Sequence, residues 1–227
     1  MFDIKMDGMA AALKQLEGQQ KQIPFATALA LTRTAKAVEK DVRVEMQRVF
    51  DNPTPYTIKG TYTKPAKKAK LFAEVGLKDA SEAGKGGNAR DYLQPQIYGG
   101  KRKLKRSERS LRSRGHLSSS EMMVPGRGAK LNKYGNINKQ QVVKAMSNVR
   151  GHFDSQQDSK GAGKYFWLPG QGIFFRRGKQ IKAFLVIARN IRYKKRFDFH
   201  KFAARRAGVH LPGEAQKAVQ HALDTAR

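Results

Sequence analysis

The stretch from Pro24 to Phe50, PFATALALTRTAKAVEKDVRVEMQRVF, constrains the fold more than any other part of the chain. Leu31, Ala35, Val38, Val42 and Val49 recur at steps of three, four or seven, with Met46 beside them. That spacing is one apolar stripe at helical period. Glu39 stands four residues before Arg43, the favourable order for a helical ion pair. Pro24 suits a first helical turn, where its missing N–H costs nothing. The run Asp51-Asn52-Pro53-Thr54-Pro55 ends the helix, because a residue before proline is pushed out of the α region. At roughly 1.5 Å per residue the helix is a rod of about 40 Å. In a chain of 227 residues, such a rod has to carry much of the packing.

The segments around it alternate in character. Residues 1–7 alternate apolar and polar and predict a short half-buried strand. Met9, Leu13 and Leu16 predict a short amphipathic helix ending near Gly18. Thr57 to Thr63 is β-branched and aromatic and predicts a strand, with a second at Leu71–Leu77. Residues 78–100 read as a loop whose far end is anchored by Tyr92, Leu93, Ile97 and Tyr98. Residues 116–137 read as irregular. Asn138 is placed to cap a helix carrying Val142, Met146 and Val149, with Gln141 as capping-box partner. Residues 151–164 read as a polar, glycine-bearing loop. Tyr165–Leu168, Ile173–Arg176 and Gln180–Ala188, separated by glycine turns, predict an antiparallel meander. Its last strand is apolar enough to be buried on both sides. Asp198 is placed to cap a turn with Phe199, Phe202 and Ala203, and Pro212 to open a last helix with Ala215, Val219 and Ala222 inward. The expected class is α+β, with the long N-terminal helix and further helices packed on an antiparallel sheet and long polar or basic loops between them. The expected organisation is one elaborated domain over residues 1–227. Its helical and strand core lies in 1–77 and 138–227, and a basic loop-and-helix insertion occupies 78–137.

Charge limits the partners. Lys plus Arg is 46 and Asp plus Glu is 18, a formal net charge of +28. Such an excess is self-repulsive unless anions or acidic partners are close. Nucleic acid is the first candidate, an acidic protein surface the second and a membrane surface the third. No apolar run approaches the ~18 residues of a spanning helix, and the charged N-terminus is no secretory signal. Lys101 to Arg114, KRKLKRSERSLRSR, concentrates the excess: Lys101, Arg102, Lys103, Lys105, Arg106, Arg109, Arg112 and Arg114 stand against the single acid Glu108. Leu104, Ser107 and Leu111 give it a thin seam, and Gly115 a stop. It predicts a short basic helix that is either a solvated face or a contact surface for phosphates or an acidic partner.

No chemistry of catalysis stands out. The chain has no cysteine, which excludes disulfides, thiolate metal sites and a Cys nucleophile. His116, His152, His200, His210 and His221 form no metal-ligand spacing and read as surface or capping residues. GKGG in residues 84–87 lacks P-loop spacing. The acids form no cluster suited to a two-metal nuclease. The aromatics of YFW and IFF read as core residues, so contact with nucleic acid is expected through phosphates and without sequence preference. Catalytic, cofactor and metal residues are therefore expected to be none.

Several blocks in order, ALALTRTAKAVEKDVRVEMQRVFDNPTPYT, LFAEVGLKD, YLQPQIYGGKRKLKRSERSLRSRG, VPGRGAKLNKYGNINKQQVVKAM and GIFFRRGKQIKAFLVI, resemble the phage minor tail protein Z family. More loosely they resemble the tail-completion and neck proteins, the head–tail connectors, of long-tailed phages. The likeness runs over roughly residues 20–200. It implies a structural virion protein without enzymatic role, present in the host cytoplasm during assembly. Such a protein completes the tail and joins it to the head around the DNA channel. It implies a ring of like subunits, a hexamer among the assemblies allowed, with neighbouring tail and head-connector proteins as partners. Double-stranded DNA would be touched through its phosphates, and no membrane is involved. The alternative from residues alone is a sequence-independent nucleic-acid-binding protein acting in packaging or regulation.

Overall fold

The computed structural model describes residues 22–79, 88–152, 156, 158 and 163–225. The strand expected at residues 1–7 and the helix after it lie outside the described residues. The described chain is α+β, with six helices and antiparallel sheets of two and four strands. It divides into two compact units, one made of the described residues through Gly99 together with those from Lys194 on, the other Gly100–Tyr193.

The first unit is built on α1, Ile23–Val49, close to the expected bounds and with proline in its first turn. Ala35, Val38, Val42 and Met46 of the stripe are buried, while Leu31 and Val49 are half-buried. The partner of that stripe is α6, Phe199–Asp224. Ala30 packs with Leu211, Ala215 and Ala218, and Ala26 with Val219 and Ala222. Small side chains on both helices let their backbones approach closely. Toward the other end Val38, Val42 and Met46 join Phe197, Phe199 and Ala207. Phe197 meets Phe50 and Phe199 edge-on at 6.0 Å, the arrangement that ring quadrupoles favour.

Polar ties fix what the apolar stripe leaves free. Asp41 of α1 accepts hydrogen bonds from Arg206 (2.5 Å) and meets His210 Nε2 at 2.6 Å on α6. His210 is thus half-buried against the Asp41 carboxylate, not a surface or capping residue. Glu39 pairs with Arg43 at 2.5 Å, as expected, and also accepts from Thr61 and Thr63 at 2.8 Å each. Burial raises the Glu39 pKa, but the two threonine hydroxyls and Arg43 outweigh it and hold the carboxyl below its ordinary value.

Thr61 and Thr63 belong to β1, Thr61–Lys64, which pairs antiparallel with β2, Glu74–Leu77. The strand expected from Thr57 starts later, because Pro55–Ile58 is a short helix, α2. Pro55 suits its first turn, and Thr54 caps it by accepting from the Thr57 N–H at 3.1 Å. The expected loop over 78–100 contains α3, Ala89–Tyr98, capped by Asn88, which accepts from the Asp91 N–H at 3.1 Å. Leu93 and Ile97 are buried as anchors, whereas Tyr92 and Tyr98 are exposed. Pro212 does not open a helix: α6 runs through it, and the expected inward residues Ala215, Val219 and Ala222 lie in the same continuous helix. Asp198 caps that helix, accepting from the Lys201 N–H at 3.3 Å.

The second unit holds α4, Arg106–Ser113; β3, Glu121–Pro125; α5, Lys139–Asn148; β4, Tyr165–Leu168; β5, Gly172–Arg177; and β6, Gln180–Arg189. The expected meander is present, and the sheet order is β3-β6-β5-β4. The fourth strand, β3, falls where the sequence read as irregular. It pairs along β6 from Glu121↔Arg189 to Pro125↔Leu185. Phe184 and Leu185, adjacent in β6 and so on opposite faces, are both buried, but two-sided burial is confined to this middle. The register shifts between Ile173 and Phe174, just after Gly172, whose φ of 127° and contact with the Leu185 carbonyl leave no room for a Cβ. α5 begins where expected, with Asn138 accepting from the Gln140 N–H at 2.8 Å, but Gln141 does not complete a box. Its Ala145, Met146 and Val149 join Leu111, Ile173 and Phe184 in this unit's core. The helix and meander thus pack with the basic segment in one unit, across the boundary expected at residue 138.

Two substitutions check the first unit. Val38, 2% exposed, replaced by Asp buries an unpaired charge and should cost about 3 kcal/mol or more; a melting curve like the wild type's would mean that the stripe is not packed. Pro212→Ala restores the N–H that an interior proline lacks and should raise the melting temperature, by the equivalent of up to about 3 kcal/mol. A lowered melting temperature would show that the proline is needed where it stands.

Candidate functional site

The basic segment is not one helix. Residues 101–105 are non-helical, and only Arg106–Ser113 is α-helical. The reason lies in the one acid of the segment. Glu108 occupies the third position of α4, and its Oε2 accepts the Lys105 backbone N–H at 2.7 Å, closing the helix start. Both its oxygens also bind Arg102, Nη1 at 2.7 Å and Nη2 at 2.5 Å, in a two-pronged pair. Oε1 further accepts the Met123 N–H from β3 at 2.8 Å. The chain from Arg102 to Lys105 is thereby folded back along the helix start rather than extending it.

Glu108 is 1% exposed and the Arg102 side chain 14%. Burial by itself raises the Glu108 pKa. The Arg102 guanidinium and the two backbone N–H groups overcome it and hold the carboxyl below its ordinary value. Leu111 on the same helix is fully buried, and Ser110 donates to the Gly151 carbonyl at 2.5 Å. Leu104 and Ser107 of the expected seam are only half-buried.

The eight cations separate by role. Arg102 closes on Glu108. Arg112 Nη2 donates to the carbonyls of Ser119 (2.8 Å) and Glu121 (3.4 Å), and Arg114 Nε to that of His152 at 2.9 Å. These three hold neighbouring backbone. Lys101, Lys103, Lys105, Arg106 and Arg109 are exposed, and among the described residues Lys101, Arg106 and Arg109 make no ion pair. The exposed cations of the segment therefore lie between Lys101 and Arg109, with Arg102 turned inward. A single glutamate in a cationic run, three residues after a helix start, was the available signal for this division.

A second group of cations, spread through the sequence and not singled out from it, converges elsewhere in the same unit. Arg127, Lys130, Lys164, Arg177 and Lys182 line a pocket of about 520 Å³ together with Gln141, Tyr165 and Phe175. Among the described residues no three His, Asp or Glu side chains are grouped to hold a metal ion, and no helix there is long and apolar enough to cross a membrane. No protein-family model, curated protein or solved structure matches the chain.

Glu108→Ala strands the Arg102 guanidinium and two backbone N–H groups and should cost about 3–5 kcal/mol in urea unfolding; a loss under about 1 kcal/mol would contradict the described network. The pH dependence has a fixed sign. With its pKa lower folded than unfolded, Glu108 contributes fully above the ordinary value of about 4.3 and loses that contribution as pH falls through the lower folded value. The wild type should lose its margin over Glu108→Ala below about pH 4, measured as the difference in unfolding midpoints.

Proposed function

We propose that this chain is a structural subunit of a phage tail, completing the tail and joining it to the head around the DNA channel as part of a ring. The reading assigns it no catalytic role. What carries it is the separation of cations described above: Arg102, Arg112 and Arg114 bond to the fold itself, while Lys101, Arg106 and Arg109 are exposed without an ion pair among the described residues. That edge lies in the block YLQPQIYGGKRKLKRSERSLRSRG, part of the ordered likeness to the minor tail protein Z family. An acidic face of a neighbouring ring or the phosphates of DNA would neutralise it.

The first unit adds a second support. Val44, Leu71, Phe72, Tyr98 and Val209 are large apolar side chains between 47% and 64% exposed. In a chain so highly charged, large apolar groups left in water suit contacts between subunits.

Reversing Lys101, Arg106 and Arg109 to Glu should leave the melting temperature within about 2 °C of wild type, the shift of at most about 1 kcal/mol in a chain of this length. Particle assembly scored by infectious titre should fall by about tenfold or more. Arg112→Glu, by contrast, should lower the melting temperature itself. A wild-type titre with the triple reversal would remove this edge from the assembly surface.

A further inference from the structure

We infer that the pocket lined by Arg127, Lys130, Lys164, Arg177 and Lys182 binds one phosphorylated nucleotide unit. Its chemistry does not depend on the place of the chain in a virion. The five cations come from the loop after β3, the residue before β4, the end of β5 and the early part of β6, and no carboxylate is among the lining residues. Among the described residues none of the five is ion-paired. Five like charges brought to one concavity repel unless an anion joins them, and phosphate oxygens are the matching group.

The loop is held there by design of its glycines. Gly126 and Gly128 donate to the carbonyls of Phe184 and Ala183 at 2.8 Å each. A Cβ on Gly128 would lie 2.7 Å from Lys182 Cβ and 3.0 Å from Phe175 Cε1. Only a residue without a side chain lets this backbone lie so close to β6, which sets Arg127 and Lys130 at the rim.

Two features favour a nucleotide over a bare phosphate. Tyr165 and Phe175, half-buried with ring centroids 5.7 Å apart, offer an aromatic wall for a planar base, and Lys164 Nζ lies 5.3 Å from the Phe175 ring centre. Among the described residues Gln141 has a buried Oε1 without a hydrogen-bond partner. As a lining residue, its amide can meet a base edge or a sugar hydroxyl as well as a phosphate. About 520 Å³ falls within the roughly 300–1,000 Å³ of small-molecule sites, room for one such unit and not for a length of duplex.

Calorimetric titration of the full chain at about 0.15 M salt tests this with ATP, inorganic pyrophosphate and a short 5′-phosphorylated oligothymidylate. ATP, the oligonucleotide or both should bind at one site per chain, at least about tenfold tighter than pyrophosphate. Binding by ATP alone identifies a free nucleotide as the source, and binding by the oligonucleotide alone identifies a strand end. Arg177→Glu with Lys182→Glu, and separately Arg127→Glu with Lys130→Glu on the loop, should each weaken binding at least about tenfold. Lys36→Glu with Lys40→Glu, exposed on α1 of the first unit, should not. Gln141→Leu should narrow the preference over pyrophosphate. The inference is overturned by pyrophosphate binding as tightly as ATP, by pocket variants that bind like wild type, or by no saturable binding of either nucleotide.

Discussion

Glu108 lies under the Arg102 guanidinium with almost no exposure, and the second unit depends on that pair staying closed. The pair bends residues 102–105 back, starts α4 and fastens β3 through the Met123 N–H. Removing one partner of such a pair leaves an uncompensated charge in low dielectric, which costs far more than the net worth of the intact pair. The same device recurs. Glu39 ties α1 to β1, Asp41 ties α1 to α6, and Glu121 pairs with Arg189 at 2.9 Å between β3 and β6. With 18 acids against 46 bases, carboxylates are scarce, and several of them sit at joints between elements. Glu39, Asp41, Glu108 and Glu121 all have pKa values held below the ordinary range. Their joint protonation in acid removes several ties at once, so acid should loosen this fold sooner than its apolar cores alone would suggest.

The cations left over are a surface property. Arg102, Arg112 and Arg114 bond to groups of the second unit itself, whereas the exposed Lys101, Arg106 and Arg109 make no ion pair among the described residues. That division suits a subunit that folds first and assembles afterward. On the readings proposed above, one unit offers two kinds of anion contact: an open edge at Lys101–Arg109 for an extended acidic surface, and a concave pocket for one phosphorylated unit.

Much of the architecture was legible because it rests on periodicity. The stripe of α1, the three meander strands and the Asp198 cap are local signals that tertiary contacts only reinforce. The failures have physical causes. Ala89–Tyr98 looked like a loop because glycines precede it and Pro95 interrupts it, yet Asn88 caps it and Leu93 and Ile97 bury one face. β3 carries only Met122, Met123 and Val124 as apolar residues and is specified by its long-range pairing with β6. Pro212 sits inside α6, where Gly208 four residues before it stands at the carbonyl that a proline ring displaces; burial of Leu211 and Ala215 against α1 outweighs the lost hydrogen bond. The basic segment was visible as composition, but composition could not say that Arg102 and Arg112 turn inward. The pocket cations were invisible because their convergence is created by the sheet.

The most direct test is the mass of the purified full chain in solution, by light scattering at low and at high salt, with and without short duplex DNA. The account predicts one discrete closed oligomer whose mass is the same at both salt concentrations, because apolar contacts between subunits are not screened by ions. A monomer or dimer that gains mass with duplex at low salt, and sheds it steeply as salt rises, would contradict it and identify a free, sequence-independent nucleic-acid-binding protein.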